Sequence, residues 1–522
     1  MKRQILARTL IAILAIPVFL AAARAQEKLQ VTAPPDAFFE KYREKDREAA
    51  KKFYKKHLDI GGGLSVVAAA EVADEALHRT HHIVTHLLAG RPDILQLMAK
   101  TGTRLIVIGK DQVYTDMPDY RNSRNPDYLN ERVRGTGGLA VTSFGEENLL
   151  NLPIDRYDDE SIAVHEFCHT IDAALRQIDP AWRGKLGQTY KTALAKGLWK
   201  NTYAASNQAE YWAEICQSYF DCNRVNNWNH GPIATREELK EYDPEGYELV
   251  HDTFKLTPAT DWRFKPLRKQ PSVIAPPAKF HFPGYYTKFT FAREFPVLGS
   301  KDVSEDAMLK ANDTIRKMFA YRHDVLKAMI ADGARLVVLA RGETLGNLPE
   351  FAEKKHQADL VRYLDYSPVL KLMVVPEENV LRMPEEPFAG RNMLLSVFAR
   401  GMYLVAGLRP VDPEFDKRRD KQQYELRVKR LDVEFDNRLK EHFEAAAAKG
   451  RWKGTPAAHS RADYWTAGVE AYFNGAGAGF PPDDAERPIT TRESLKAYDP
   501  DLYSLVDETM AYKGRVDWRV RR

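Results

Sequence analysis

The alternation of apolar and polar residues predicts a chain built mainly from helices, with a few short strands. Apolar side chains recur at helical spacing in Ala70–Ala89, Ser161–Leu175 and Gln208–Phe220. Arg104–Ile108 is a β-branched run typical of a buried strand, and Gly135–Gly145 is expected to be extended after a glycine turn. Because the predicted strands are short beside the helices, the pattern favours a helix-rich α+β fold.

The same sequence pattern occurs twice in the chain. The segment TREELKEYDPEGYELVHDT at 235–253 returns at 491–509 with 12 of 19 positions identical. GLWKNTYAASNQAEYW at 197–212 returns in altered form at 450–465. The period is too long for a solenoid of small repeats, so the repetition predicts two tandem homologous globular domains.

Composition suggests where these two domains begin and end. Residues 265–288 are rich in proline and basic side chains and are interpreted as a linker. The first domain is therefore expected over 61–264 and the second over 289–522. The remaining segment, 26–60, is expected to be helical, with a charged helix from Phe38 to Leu58.

Residues 1–25 have the features of a secretory signal peptide. A basic start precedes the apolar run Leu10–Ala23, and Ala23-Arg24-Ala25 provides a small-x-small cleavage pattern. We expect cleavage after Ala25 and a secreted or periplasmic protein. The apolar run is shorter than a membrane span requires and no comparable run follows it, so no stable membrane span is expected.

The charge balance argues against a nucleic-acid partner. The chain has 77 Lys+Arg and 73 Asp+Glu, and four of the basic residues lie within 1–25, so the expected mature chain is neutral. A hydrophobic fraction of 44% with 29% charged residues excludes a disordered chain. The charge-dense stretch 412–443 is interpreted as a solvated helical insertion.

The candidate chemistry is concentrated in VHEFCHTID, residues 164–172. His165 and His169 are four residues apart, which places them about 40° apart around a helix, so both imidazoles face one ion. Glu166 lies beside them, where its carboxylate would take a proton from a metal-bound water. Neutral imidazole suits Zn²⁺, with one carboxylate and one water as the remaining ligands.

A third ligand is expected on the helix predicted over Gln208–Phe220. Glu210 and Glu214 share one face of this helix at a spacing of four, and the spacing does not choose between them. Tyr203 is either a hydrogen-bond donor to an oxyanion or a packed aromatic near the helix start. Asp172 either orients an imidazole or is a surface residue of its helix.

This combination resembles the catalytic domain of anthrax lethal factor and its relatives, which are zinc metalloendopeptidases of the gluzincin type. The resemblance rests on HExxH at 165–169, the pair Ala209-Glu210 and Ala213-Glu214, and Tyr203 seven residues before Glu210. It implies that His165, His169 and Glu210 bind Zn²⁺ and that Glu166 is the general base. It also implies that Tyr203 stabilises the oxyanion and that Glu214 orients a ligating histidine.

The resemblance thus implies an enzyme that hydrolyses peptide or protein substrates. A scaffold protein with a structural zinc is one alternative, although a structural site has no use for Glu166. A zinc hydrolase acting on a non-peptide amide is another. The repeated TREELKEYDP block has no counterpart in the toxin, so substrate specificity stays open.

Comparing the two copies predicts that the second domain is degenerate. Aligning VHEFCH with VFARGM places apolar residues opposite the motif, and the other site positions also change. The second-copy partners of His165, Glu166, His169, Asp172, Tyr203, Glu210 and Glu214 are then Phe398, Ala399, Met402, Val405, Pro456, Asp463 and Ala467. We therefore expect no metal there, and a structural or partner-binding role.

Three further features are weaker candidates. The histidines at 78, 81, 82 and 86 are interpreted as a polar helix surface, with a second metal site as the alternative. Cys168, Cys216 and Cys222 leave a Cys216–Cys222 bridge open. Gly135–Gly145 is either an edge strand that pairs with an extended peptide or an ordinary core strand.

Overall fold

The computed structural model describes residues 29–510 apart from several gaps. The gaps are 127–128, 131–132, 158–159, 201, 224–232, 269–270, 320–321, 355–357, 389, 408–432 and 478–488. The predicted signal peptide lies outside the described residues, as does most of the stretch 412–443.

The first half of the chain forms a five-stranded mixed sheet. Its strands are β1 (Lys56–Gly61), β2 (Leu64–Ala68), β3 (Arg104–Ile108), β4 (Gly135–Thr136) and β5 (Val141–Gly145). They are arranged in the order β1-β2-β3-β5-β4. The central strands β2, β3 and β5 are parallel, while β1 and β4 pair antiparallel at the two edges.

Helices surround this sheet. The described ones are α1 (Asp36–Phe39), α2 (Glu44–Phe53), α3 (Asp74–Leu87), α4 (Pro92–Lys100), α5 (Glu146–Leu149), α6 (Ile162–Ile178), α7 (Trp182–Ala195), α8 (Gln208–Tyr219), α9 (Arg236–Tyr242) and α10 (Pro244–Phe254). Single 3₁₀ turns occur at Tyr114–Asp116 and Tyr203–Ala205. Helix α6 packs against both β5 and α8, which places the two motif helices at one face of the sheet.

The second half repeats this architecture. Its strands are β6 (Lys288–Ala292), β7 (Phe295–Gly299), β8 (Arg335–Leu339), β9 (Leu364–Ser367) and β10 (Leu372–Pro376). Their order, β6-β7-β8-β10-β9, and their parallel and antiparallel pairings match those of the first sheet. Pairing of Arg335 with Leu372 reproduces the pairing of Arg104 with Val141.

The helices of the second half follow the same sequence of elements. Those described are α11 (Glu305–Met318), α12 (His323–Ala331), α13 (Glu377–Val380), α14 (Met393–Met402), α15 (Val433–Ala448), α16 (Arg461–Tyr472), α17 (Arg492–Tyr498) and α18 (Pro500–Met510). A π-helical turn, Tyr403–Gly407, follows α14, and 3₁₀ turns lie at Ala278–Phe280, Leu345–Asn347, Pro349–Lys354 and Pro456–Ala458. The chain is therefore of the α+β class, as the sequence predicts.

A large apolar core fills the helical side of each sheet. In the first half, Trp212 on α8 stacks on Phe254 at 5.9 Å and meets Trp182 edge-on at 4.9 Å. Burying an aromatic side chain of this size stabilises the fold by roughly 1.5–3 kcal/mol. This packing holds α6, α7, α8 and α10 together and so fixes the position of the motif helices.

The segments at the domain boundaries are more integrated than composition suggests. The single helix predicted over Phe38–Leu58 is instead two helices, α1 ending at Phe39 and α2 spanning Glu44–Phe53, and the chain continues as β1 of the first sheet. Within the Pro-rich segment 265–288, Ile274 forms a β-bridge with Phe289, and Phe280 stacks on the same residue. Part of the proposed linker therefore packs against the second sheet.

Candidate metal centre

Helix α6 presents the HExxH side chains from a buried face. Ser161 begins the helix by accepting a hydrogen bond from the Val164 amide, and the apolar side of the helix enters the core. His165 is only 6% exposed. Since His165 and His169 are one helical turn apart, their Nε2 atoms lie 3.2 Å from each other.

Helix α8 brings a carboxylate to the two imidazoles. Asn207 caps its first turn by accepting hydrogen bonds from the amides of Ala209 and Glu210. Glu210 Oε2 then lies 3.2 Å from His165 Nε2 and 3.3 Å from His169 Nε2. The packing of the two helices thus brings Glu210 to both imidazoles; helical spacing alone had left Glu210 and Glu214 open, and the family resemblance implied Glu210.

The three atoms have the separations expected around zinc. Four ligands at about 2.0–2.1 Å from a tetrahedral ion lie about 3.3 Å from one another. The observed separations are 3.2, 3.2 and 3.3 Å. Among the described residues, His165, His169 and Glu210 form the one group of histidine, cysteine and acidic side chains compact enough to hold a metal ion.

The electrostatics of this group favour a cation. Burial lowers the pKa of His165, but its hydrogen bond to Glu210 and the charges of Glu166, Glu210 and Glu214 outweigh burial and raise it well above its usual value. Burial raises the pKa of Glu210, and the hydrogen bonds to His165 and His169 reverse this and lower it. A metal ion entering the site would therefore displace protons, so its affinity should depend on pH.

Glu166 lies beside the imidazoles and under the loop between β4 and β5. Burial raises the pKa of its carboxyl, while His165 and His169 oppose the increase. The Gly137 amide also donates a hydrogen bond to Glu166. A Cβ atom at Gly137 would lie 2.1 Å from the Glu166 carbonyl oxygen and 2.5 Å from His169 Cβ, so this close approach requires glycine.

Tyr203 lies on the 3₁₀ turn that precedes α8. Its ring is nearly parallel to that of His165, with centroids 6.2 Å apart. Burial, followed by the charges of Glu210 and Glu166, raises the pKa of Tyr203, and its hydroxyl hydrogen-bonds with Glu210. Tyr203 therefore keeps its proton near neutral pH and can donate it in a hydrogen bond.

Glu214 lies near His165 but outside hydrogen-bond distance, and Asp172, for which two roles were open, bonds to groups other than the imidazoles. Glu214 is fully buried, but its Oε1 is 3.8 Å from His165 Nδ1, beyond a hydrogen bond. Asp172 accepts hydrogen bonds from Trp182 Nε1 at 2.7 Å and from Arg176. Its carboxylate thus links α6 to α7 through Trp182. The described hydrogen bonds include none between Asp172 and either imidazole.

Gln217 makes the contact that was assigned to Glu214. Its Oε1 lies 2.8 Å from His165 Nδ1, and the side chain is fully buried. Gln217 is not among the site residues predicted from sequence, although its position on the helix could have indicated it. Residues 210, 214 and 217 share one helical face, and Gln217 is the third polar side chain on it.

The weaker candidates have other partners. His78 Nε2 lies 2.8 Å from the Leu29 carbonyl oxygen, and His86 Nδ1 lies 2.6 Å from that of His82. The three cysteines are buried free thiols, so the Cys216–Cys222 bridge is not formed. Gly135–Gly145 is a hairpin rather than one strand, with β4 at the sheet edge and β5 inside.

The structure corrects the alignment of the two copies by two residues. Trp212 Nε1 donates to the Cys168 carbonyl, and its repeat Trp465 donates to that of Ala399. Likewise, the Ile162 amide donates to Asn148 Oδ1 in the first half, and the Met393 amide donates to Asn379 Oδ1 in the second half. In this register the partners of His165, Glu166, His169 and Asp172 are Ser396, Val397, Arg400 and Tyr403.

The positions of the second half that correspond to His165 and His169 are consequently polar, Ser396 and Arg400, whereas the sequence alignment placed Phe398 and Met402 there. The Arg400 guanidinium pairs with Asp463, which lies in the first turn of α16 as Glu210 lies in the first turn of α8. An ion pair thus replaces the candidate ligands in the described second half, and the fixed positive charge of arginine lies where the first half has His169.

Comparisons with known proteins identify no relative. No protein-family model matches this chain, and neither curated proteins nor solved structures yield a match. Among the described residues, no helix combines the length and the apolar character that crossing a bilayer requires.

Proposed function

We propose that the first half is a zinc-dependent endopeptidase in which His165, His169 and Glu210 hold Zn²⁺. The observation that carries the proposal is the triangle of His165 Nε2, His169 Nε2 and Glu210 Oε2, with sides of 3.2–3.3 Å. Three protein ligands leave a coordination position for water or substrate, as catalytic zinc sites do, whereas structural sites use four protein ligands.

Two further side chains would carry out the proton transfer and charge stabilisation. Zn²⁺ bound there would acidify a water and polarise a carbonyl. Glu166 is the general base in this proposal, and its raised pKa brings the carboxyl closer to the working pH, where a base both accepts and releases a proton. Tyr203 keeps its proton and would donate a hydrogen bond to the oxyanion.

The position of β4 supports a peptide as the substrate. β4 is an edge strand of the sheet, and the loop that follows it contacts α6 at Glu166 and His169. An extended peptide that adds to such an edge would lie next to the catalytic side chains. A small non-peptide amide would make no use of this edge.

The decisive experiment measures bound zinc and cleavage of a mixed peptide library for the wild type and Glu166→Gln. We expect one zinc per chain in both proteins and a loss of cleavage of about 10²–10⁴-fold in the variant. Absence of zinc from the wild type would refute the proposal. Zinc binding without cleavage of peptides would favour the structural-zinc scaffold, and turnover confined to cell-wall amides would favour the non-peptide hydrolase.

We further propose that the protein is exported and that its second half is a non-catalytic tandem copy of the peptidase domain. The signal-like pattern of residues 1–25 supports export. The matching strand orders and the Arg400–Asp463 pair support the degenerate copy, which would serve a structural or partner-binding role. Sequencing the mature N-terminus tests export, with Gln26 expected as the first residue.

A further inference from the structure

We propose that Gln217 positions His165 for the metal by determining which ring nitrogen carries the proton. This inference rests on the metal site of the proposed function, but it does not depend on the reaction catalysed. Gln217 Oε1 lies 2.8 Å from His165 Nδ1, and both side chains are buried. Glu214, the residue expected in this role, is 3.8 Å from the same nitrogen.

The orientation of the Gln217 amide is determined by its other neighbours. Its Nε2 donates to the Ser161 carbonyl at 3.2 Å and to Glu160 Oε2 at 3.4 Å. A carbonyl and a carboxylate only accept hydrogen bonds, so the NH₂ group must face them and Oε1 must face His165.

This orientation selects one tautomer of His165. Because an amide oxygen only accepts, Nδ1 of His165 must donate and therefore carries the proton. The neutral ring then has its lone pair on Nε2, the nitrogen that lies beside His169 and Glu210. A histidine whose second nitrogen is fixed in this way is oriented for metal binding before the metal arrives.

The second half contains the same contact with different chemistry. In the first half the Cys222 amide donates to the Gln217 carbonyl, and in the second half the Gly475 amide donates to the Glu470 carbonyl. Glu470 is therefore the repeat of Gln217. Glu470 hydrogen-bonds with Ser396, which occupies the position of His165. In both halves, therefore, a buried acceptor on one helix (α8 or α16) contacts the equivalent position of the helix packed against it (α6 or α14).

The residue next to this acceptor has changed together with it. In the first half the Asn148 side chain donates to the Glu160 carbonyl, and in the second half the Asn379 side chain donates to the Arg391 carbonyl. Arg391 is therefore the repeat of Glu160. Arg391 pairs with Glu470 at 2.8–3.0 Å. In the first half the corresponding residue, Glu160, is an acceptor and so requires a hydrogen-bond donor rather than an acid as its neighbour. The Gln217 side-chain amide donates to Glu160 through its nitrogen, while its oxygen remains available to His165.

Two variants test the proposal by their zinc affinity, measured by competition with a chromogenic chelator. Gln217→Met preserves the size of the side chain and removes the acceptor, so we expect zinc affinity to fall about 10–100-fold. The double variant E160Q/Q217E exchanges the acid and the amide. It leaves the net charge unchanged and retains an acceptor for Nδ1, so we expect affinity at least equal to that of the wild type.

Ser218→Ala is the matched control, since Ser218 is buried on the same helix and its hydroxyl donates to the Glu214 carbonyl and accepts from the Asn223 amide. Above the raised pKa of His165, where the ring is neutral, nitrogen-15 NMR of the metal-free wild type should show the proton on Nδ1, and Gln217→Met should lose this preference. Wild-type affinity in Gln217→Met, or a neutral wild-type ring that carries its proton on Nε2, would overturn the proposal. If the wild type binds zinc but cleaves no peptide, the proposed activity is wrong, while the affinity of Gln217→Met still decides the role of Gln217.

Discussion

At the scale of single residues, Tyr203 gives a direct test of the proposed chemistry. Its hydroxyl hydrogen-bonds with Glu210 at the edge of the site and keeps its proton. Removing one oxyanion donor typically costs about 10²–10³ in kcat, and we expect Tyr203→Phe to lose that much while still binding zinc. Peptide cleavage and zinc content should be measured together.

Tyr190→Phe is the matched control for that experiment. Tyr190 donates to the Ala205 carbonyl at 2.8 Å, so its loss disturbs the same 3₁₀ turn without removing a hydroxyl from the site. If both variants lose activity equally, the activity depends on the structure of the 3₁₀ turn rather than on the Tyr203 hydroxyl. Full activity in Tyr203→Phe would exclude it as the oxyanion donor.

A second prediction concerns the histidine cluster on α3. The His82 side chain is exposed at the surface, but partial desolvation, followed by the charge of His86, lowers its pKa from 6.5 to about 4. Because the unfolded chain then binds this proton more readily, stability should fall as pH decreases through the window from about 6.5 to about 4. Replacing His82 with Gln should reduce the loss of stability between about pH 7 and about pH 5, measured by urea unfolding.

The comparison for His82→Gln is His281→Gln, which changes another exposed histidine, one that lies far from α3 in the sequence. We expect His281→Gln to lose as much stability on acidification as the wild type. An equal loss in His82→Gln would contradict the assignment of this acid sensitivity to His82.

The residues of the site were only partly predictable from sequence. His165, Glu166 and His169 follow from the 3.6-residue periodicity of one helix, which is a local property. The choice of Glu210 depends on how α8 packs against α6, and the roles of Asp172 and Gln217 depend on Trp182 and Glu160 from other segments. Such contacts between elements are not encoded in the spacing along one helix.

At the scale of elements, the hairpin β4–β5 should be sensitive to small changes at one glycine. A methyl group at Gly137 would collide with the backbone of α6, whereas one at Gly138 would have its nearest neighbour, the Val141 carbonyl oxygen, at 3.4 Å. Gly137→Ala should therefore lower the free energy of unfolding by about 1–3 kcal/mol, as overpacking does. It should also reduce activity, because the loop that contacts Glu166 must move.

Gly138→Ala provides the control in the same loop. We expect its stability and activity to remain close to those of the wild type, as judged by chemical unfolding and peptide cleavage. Equal behaviour of the two alanine variants would show that contact between the loop and α6 is unimportant.

The two motif helices and the buried central strand β3 were predicted well, and the two edge strands were not. β3 has the predicted bounds, and α6 and α8 begin and end within three residues of prediction. The two-residue strand β4 exists only through its pairing with β5, and β1 exists through its pairing with β2 across a glycine turn. Pairing with the strand that follows across a short turn overrides the helical composition that precedes β1.

At the scale of the whole molecule, the two halves differ most in how they supply positive charge to the same position. In the first half the charge would come from a bound ion, and in the second it is built into Arg400, which pairs with Asp463. The sequence comparison missed this because identity across α14 is low, and a shift of two residues aligned apolar residues with the motif. Backbone hydrogen bonds that recur in both halves restore the register.

If the second half retains the scaffold of the site, a metal site can be rebuilt in it. The triple variant S396H/R400H/D463E restores the side chains of His165, His169 and Glu210 at their corrected positions. Glu470 already lies next to position 396 as an acceptor for the new imidazole. We expect zinc content to rise from one to two ions per chain, measured by elemental analysis of the purified protein.

The rebuilt site should bind metal without adding peptidase activity. Val397 replaces Glu166, the proposed general base, and Pro456 replaces Tyr203, so the second half lacks both groups that are proposed to act on a substrate. The same triple change made in the uncorrected register, at Phe398, Met402 and Asp463, is the control and should bind no second ion. A second zinc in that control, or none in S396H/R400H/D463E, would contradict the correspondence between the two halves.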